Sequence, residues 1–325
     1  MSPADLTPWQ QRVYAHAAGV LDAGRLGHGL LLCGPAGLGK RAVAARLAWR
    51  LLCGLDTAAA EAPANLRARQ LLEAGTHPDL QQLSFVPTRT GDKLRTEIVI
   101  EQIRELSERL SLTAQYGQAQ VAIIAPADAI NRAAANALLK TLEEPAPGRY
   151  LWLVSDDPMR LPATIRSRCQ RLEFRLPPRA EALAWLRGQG HAEAQAVAAL
   201  DAARGHPGLA DDWLRHDGLA LRREVAADLD RIAGGKLGTV EAAQRWSGDE
   251  RLALRLRHAA DLAREHAAQA GLTDPARLHK LAAWFDSANR TRDLLRTTVR
   301  ADLAVAELLL AWRDAEHAPA APRRG

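Results

Sequence analysis

Gly34-Pro35-Ala36-Gly37-Leu38-Gly39-Lys40-Arg41 departs from the pattern G-x-x-x-x-G-K-[ST] only at its last residue. Glycines at Gly34, Gly37 and Gly39 let a backbone turn its N–H groups inward around phosphates, and a following helix adds positive potential at its N-terminus. Lys40 is placed to reach the outer phosphates. Arg41 stands where Ser or Thr would give a hydroxyl to Mg²⁺; a guanidinium has no acceptor and is always charged, so it cannot take over that ligand. A hydrolytic site of this kind also needs an acid at the end of a second strand. The candidate strand, residues 121–124, runs instead into Ala125-Pro126. Asp128 lies beyond that strand and is expected to cap the following helix. The loop therefore reads as degenerate: a phosphate-binding scaffold, at most weak ATP binding, and no metal ligand. The intact Lys40 keeps open the alternative of a working ATPase.

The elements that position this loop are legible. Gly29–Cys33, G-L-L-L-C, reads as a buried strand, and residues 40–52 carry Val43, Leu47 and Leu51 at helical spacing. Strand, glycine turn and helix begin an α/β unit. Residues 120–125 and 151–154 have the continuous apolar character of buried parallel strands. Residues 80–86 and 172–176 are weaker strand candidates. Ile100, Ile103, Leu106 and Leu110 share one helical face, and residues 131–142 form a helix stopped before Pro145. Residues 55–69 give no firm signal. After Pro177-Pro178 the pattern becomes helical, with a last helix over about 299–312.

Composition narrows the functions further. The 325 residues carry 43 Lys+Arg against 38 Asp+Glu, a formal charge of +5 that permits nucleic-acid contact without demonstrating it. Arg89, Lys93 and Arg95 read as a solvated basic loop. No carboxylate triad suited to two-metal nucleotidyl transfer is present, and no acid–base cluster suits a stand-alone kinase. Three scattered cysteines form no disulfide framework, which fits a reduced compartment. With no membrane-length apolar run and no signal-peptide pattern, a cytoplasmic protein is expected.

Two further motifs are specific. Asn136-Ala137-Leu138-Leu139-Lys140-Thr141-Leu142-Glu143-Glu144-Pro145 and, downstream, Ser167-Arg168-Cys169 resemble, in order and spacing, the clamp-loader branch of the AAA+ ATPases. Gly75-Thr76-His77-Pro78-Asp79 and Ile103-Arg104-Glu105-Leu106 fit the same branch, and the similarity covers residues 10–210. The resemblance implies an α/β P-loop AAA+ domain with a parallel sheet (1–177), a small helical lid domain (178–214) and an all-α C-terminal collar domain for oligomerisation (215–316); the Ala/Pro/Arg-rich tail (317–325) reads as disordered from its composition. It further implies that Arg168 is an arginine finger working in trans on a neighbour's ATP. Cys169 beside it is expected to be a packed thiol. By the same resemblance Ser155 falls near the first sensor position, and Gly208 stands where the lid commonly offers a sensor arginine. The implied partners are other clamp-loader subunits, both ATPase and clamp-opening, with the sliding clamp and primer–template DNA reached through the complex. The resemblance implies work within a DNA polymerase holoenzyme, without catalysis by this chain alone.

Clamp-loader relatives commonly carry a four-cysteine zinc module between the phosphate loop and G-T-H-P-D; here only Cys53 remains, with His77 a stray candidate. Protein purified without chelator should contain no stoichiometric zinc by elemental analysis; one zinc per chain would show partners for Cys53 and His77 that the sequence does not reveal.

Overall fold

Among the residues described by the computed structural model (5–87, 95–117, 119–271, 274–295 and 299–316), five strands form one parallel sheet. They are β1 (Gly29–Cys33), β2 (Leu80–Leu83), β3 (Gln120–Ile124), β4 (Arg149–Ser155) and β5 (Gln170–Glu173), paired in the order β2-β3-β4-β1-β5. The tail 317–325, Arg89 and Lys93 lie outside the described residues.

The apolar runs explain the burial. In a strand successive side chains point to opposite faces, so a strand covered on both sides is apolar throughout. Leu30 and Leu32 join Val121, Ile123, Trp152 and Val154 in a core with α1 (Pro8–Asp22) and α2 (Lys40–Cys53). Leu31 and Cys33 face the other way. They join Ala122, Ile124, Leu151 and Leu153 in a core with α4 (Ile100–Ser111), α5 (Arg132–Glu143) and α6 (Ala163–Arg166).

Between α2 and β2, α3 (Pro63–Glu73) forms in the stretch that carried no firm signal. Pro63 opens it, a position where a missing N–H costs nothing. Ala68 and Leu72 pack on Trp49 and Cys53. The weaker strands are shorter or shifted: the expected 80–86 contracts to Leu80–Leu83, and 172–176 moves to Gln170–Glu173, in register with β1. The G-T-H-P-D motif fastens this region. The Asp79 carboxylate accepts the backbone N–H groups of Gln115 (2.9 Å) and Tyr116 (2.8 Å), tying β2 to the loop before β3.

The chain divides into two compact units, Met1–Asp211 and Asp212–Gly325. The first includes α7 (Arg179–Gly188) and α8 (Glu193–Ala202); α9 (Pro207–Arg215) runs across the division. The second contains α10 (Gly218–Ala233), α11 (Thr239–Ser247), α12 (Leu252–Ala270), α13 (Pro275–Leu294) and α14 (Ala301–Glu316), the last displaced toward the C-terminus from the expected 299–312. Its core is built around Trp246, Trp284 and Trp312. Each indole N–H finds an acceptor: Asp228 Oδ2 at 2.9 Å, the Leu308 carbonyl at 2.7 Å and the Leu229 carbonyl at 3.1 Å. No helix among the described residues is long and apolar enough to cross a membrane.

His258 of α12 is fully buried against Trp213, ring centroids 4.5 Å apart. Burial first, then the charges of Arg222 and Arg257, push its pKa from 6.5 down to about 3. The unfolded chain protonates this histidine below its ordinary value, while the folded chain resists until about 3. Its contribution to stability is therefore present above pH ~6.5 and is lost as the pH falls from there toward ~3. Thermal melts between neutral and acid pH should show a shallower decline for His258→Leu than for the parent; an unchanged slope would assign the acid sensitivity to other groups.

Candidate functional site

A parallel sheet sends all its carboxyl ends to one edge, and in open α/β sheets ligands bind there. The Gly34–Arg41 loop leaves β1 at that edge and leads directly into α2. Cys33 at the end of β1 is in register with Ser155 at the end of β4. The structure thus brings Gly34, Gly37, Gly39, Lys40 and Arg41 together with the strand ends Ala125-Pro126 and Ser155-Asp156. Gly37, Gly39, Lys40, Arg41, Pro126, Val154 and Asp156 line a cavity of about 230 Å³.

Inside this loop, polar groups are already matched to one another. Lys40 is 4% exposed. Its Nζ donates to the carbonyls of Gly34 and Pro35, both at 2.7 Å, and pairs with Asp156 Oδ1 at 2.7 Å. Arg41 sends Nη2 to the Ala125 carbonyl at 2.7 Å. The cation at the expected hydroxyl position thus fastens the loop to the end of β3, where the expected acid is missing.

From the outside of the loop, Trp9 Nε1 and Gln10 Nε2 of α1 donate to the Leu38 carbonyl at 3.3 and 3.2 Å. Gly39, at φ 78°, packs so closely on the Gln10 amide that a side chain there would overlap it. His206 Nδ1 donates to the Ala36 carbonyl at 3.3 Å. The start of α9 presses on the loop as well, since a Cβ on Gly208 would come within 2.2 Å of the Gly37 oxygen, far inside van der Waals contact. Where the resemblance implies a sensor arginine, the chain has a residue whose lack of a side chain permits direct backbone contact.

One expectation is corrected at this edge. Asp128 does not cap α5; Asn131 does, its Oδ1 accepting the Ala134 N–H at 2.9 Å. Asp128 Oδ1 instead accepts the Asp156 N–H at 3.1 Å, because the turn after β3 lies beside the end of β4. Ser155 is buried, but its hydroxyl caps nothing and has no partner among the described residues; Asp157 serves the following turn by accepting the Met159 N–H. Sequence reasoning missed Asp156. The signal was an acid just past the end of an apolar strand, and it acquires meaning only once β4 is known to lie beside β1.

Arg168 lies elsewhere. It follows α6 and precedes β5, whose Gln170 pairs with Leu30 near the start of β1. It is therefore at the amino edge of the sheet. The five residues of β1, at about 3.3 Å each, separate it from its own phosphate loop by about 16 Å. Its side chain is 36% exposed, and its guanidinium donates to the Thr164 carbonyl at 2.9 Å and pairs with Glu143 Oε1 at 2.6 Å. The two family motifs thus interlock at the surface. Burial raises the pKa of Cys169 to about 11, so it is a packed neutral thiol. Cys53 is buried with Sγ donating to the Trp49 carbonyl at 3.1 Å, and His77 Nδ1 accepts the Asp79 N–H at 3.2 Å.

A parallel sheet in this order, with the glycine loop after β1 and helices on both faces, defines an AAA+ P-loop domain; a helical unit follows it. The family described as DNA polymerase III, delta subunit, matches residues 9–178. The chain is 37% identical over 246 residues to DNA polymerase III subunit delta' of Pseudomonas aeruginosa, covering 75% of this chain and 72% of that one. It is 34% identical over 213 residues to subunit delta' of Escherichia coli, covering 63% and 62%. Subunit tau of Escherichia coli is 33% identical over 167 residues, covering 51% of this chain and 24% of its own. The chain belongs to the DNA polymerase III delta-subunit family represented by these delta' proteins. Its role is that of a clamp-loader subunit in DNA replication.

The close approach of Gly208 and Gly37 yields a direct test. Gly208→Ala should lower stability by about 1–3 kcal/mol, the usual cost of overpacking. Gly19→Ala, with open space around it in α1, should be neutral or slightly stabilising. Urea unfolding of the two variants measures the contrast.

Proposed function

We propose that this chain is a largely non-hydrolysing AAA+ stator of the clamp loader, supplying Arg168 to ATP held by a neighbouring subunit. The observation that carries this reading is the opposition of the two edges. Arg168 stands at the amino edge of the sheet, too far from its own loop to serve it, and exposed enough to reach another subunit. Its present partner is no obstacle, since a surface ion pair such as Arg168–Glu143 is worth only about 0–1 kcal/mol. At the carboxyl edge, the Arg41–Ala125 contact occupies the place where a metal ligand and its acid would meet, which weighs against the alternative of an active ATPase subunit.

The partners in this reading are ATPase subunits and a clamp-opening subunit, with the sliding clamp and primer–template DNA engaged through the assembled complex in the cytoplasm. The helical second unit would join equivalent domains in a collar. Leu294, Val299, Leu303 and Leu310 remain exposed for that purpose, while Leu308 and Leu309 close the unit's own core.

The isolated protein should show no Mg²⁺-dependent ATPase above background; steady turnover lost in Lys40→Ala would establish the active-ATPase reading instead. In a reconstituted loader, Arg168→Ala should assemble normally yet lower ATPase activity and slow clamp loading. Arg168→Lys should restore only part, because a point-like ammonium cannot reproduce the guanidinium fork. Unchanged activity in a correctly assembled Arg168→Ala complex would remove the finger and leave a scaffold.

A further inference from the structure

The cavity at the carboxyl edge keeps most parts of an anion site. It has a buried lysine, a glycine loop, and the N-terminus of a 14-residue helix. What sits on the lysine is a carboxylate of the chain itself. Asp156 Oδ1 lies 2.7 Å from Lys40 Nζ; the Lys40 side chain is 3% exposed and that of Asp156 is 55% exposed. The carboxylate therefore stands between the ammonium and solvent. Its backbone is held by Asp128, whose Oδ1 accepts the Asp156 N–H at 3.1 Å. With the Gly34 and Pro35 carbonyls also bonded to Nζ, the ammonium has three acceptors, matching its three donors.

We propose that Asp156 is an internal anion that keeps the phosphate loop closed, and that neutralising it creates a metal-independent site for pyrophosphate. A polyphosphate approaching wild type must displace Asp156 from Lys40 while meeting the displaced carboxylate as a like charge. With the carboxylate removed, Lys40 retains two carbonyl partners and one free donor directed at the cavity. The chemical class follows from size and from the missing metal ligands. The cavity of about 230 Å³ falls below the roughly 300–1,000 Å³ typical of sites that enclose a drug-sized ligand. It suits two linked phosphates and not a whole nucleotide. Arg41 replaces the hydroxyl that would bind Mg²⁺, so binding should survive chelation of divalent ions. This inference rests on the reading of a non-hydrolysing loop and adds the residue that holds it shut.

The test is a titration of the full-length chain with pyrophosphate in the presence of EDTA, followed by calorimetry. Asp156→Asn should bind pyrophosphate at least tenfold more tightly than wild type, and Asp156→Ala should behave likewise. Adding Lys40→Ala to Asp156→Asn should abolish the gain. Equal affinity in wild type and both Asp156 variants, or a gain that survives loss of Lys40, would overturn the proposal. Assaying Mg²⁺-ATP turnover on the same variants separates the two readings. Turnover by Asp156→Asn would refute the non-hydrolysing loop while leaving the internal anion in place. No turnover together with no gain in pyrophosphate affinity would refute only the internal anion.

Discussion

Parallel pairing of five strands is the constraint on which both functional edges depend. Because each strand runs the same way, every strand-to-helix turn leaves from one edge, and every return to the sheet enters at the other. The phosphate loop, the Ala125-Pro126 turn and Asp156 share the first edge without being close in sequence. Arg168 precedes β5 and so must lie at the second. The side chains inside the sheet serve this arrangement: Leu30 and Leu32 on one face and Leu31 on the other anchor β1 between two helical layers, leaving only its ends to carry chemistry.

At the carboxyl edge the governing problem is a buried positive charge. An unpaired ammonium out of water costs several kcal/mol, so Lys40 must have partners in any state of the protein. In an active loop, phosphates serve. Here the chain's own carbonyls and Asp156 serve, and the surroundings have adjusted: Arg41 spans to Ala125, and α9 settles on Gly37 because Gly208 has no side chain. These changes are mutually consistent. Each removes a feature needed for metal-assisted hydrolysis while preserving the packing that the sheet and α2 require.

What could be read from the sequence was what is local or strongly apolar. The phosphate loop is a contiguous pattern, and β1, β3 and β4 are continuous hydrophobic runs, so their types were clear and their ends fell within a few residues. The edge strand β2 is L-Q-Q-L, with little to distinguish it from a loop. Helix α3 carries few large apolar residues, and its reason to form is Trp49, on another helix. Arg168 was singled out through the S-R-C resemblance, but its separation from the loop required the β1–β5 register. Asp156, Gln10 and His206 could not be found at all without strand order and packing, since each meets the loop from a distant part of the chain. The misassigned Asp128 shows the same limit: a local cap was the reasonable expectation, and a contact between neighbouring strand ends replaced it.

The pairing of β1 also bears on how the chain is made. Residues 29–33 find their hydrogen-bonding neighbours only in residues 149–155 on one side and 170–173 on the other. Contacts so remote in sequence close late, because the loop entropy must be overcome before they yield anything. During synthesis the most apolar strand of the sheet therefore emerges with both edges open and waits for β4 and β5 to follow. Unpaired edges of this kind are what other nascent chains can add to. Folding of the first unit is thus coupled to the progress of translation past β5, and a pause before that point prolongs the interval in which β1 is bare.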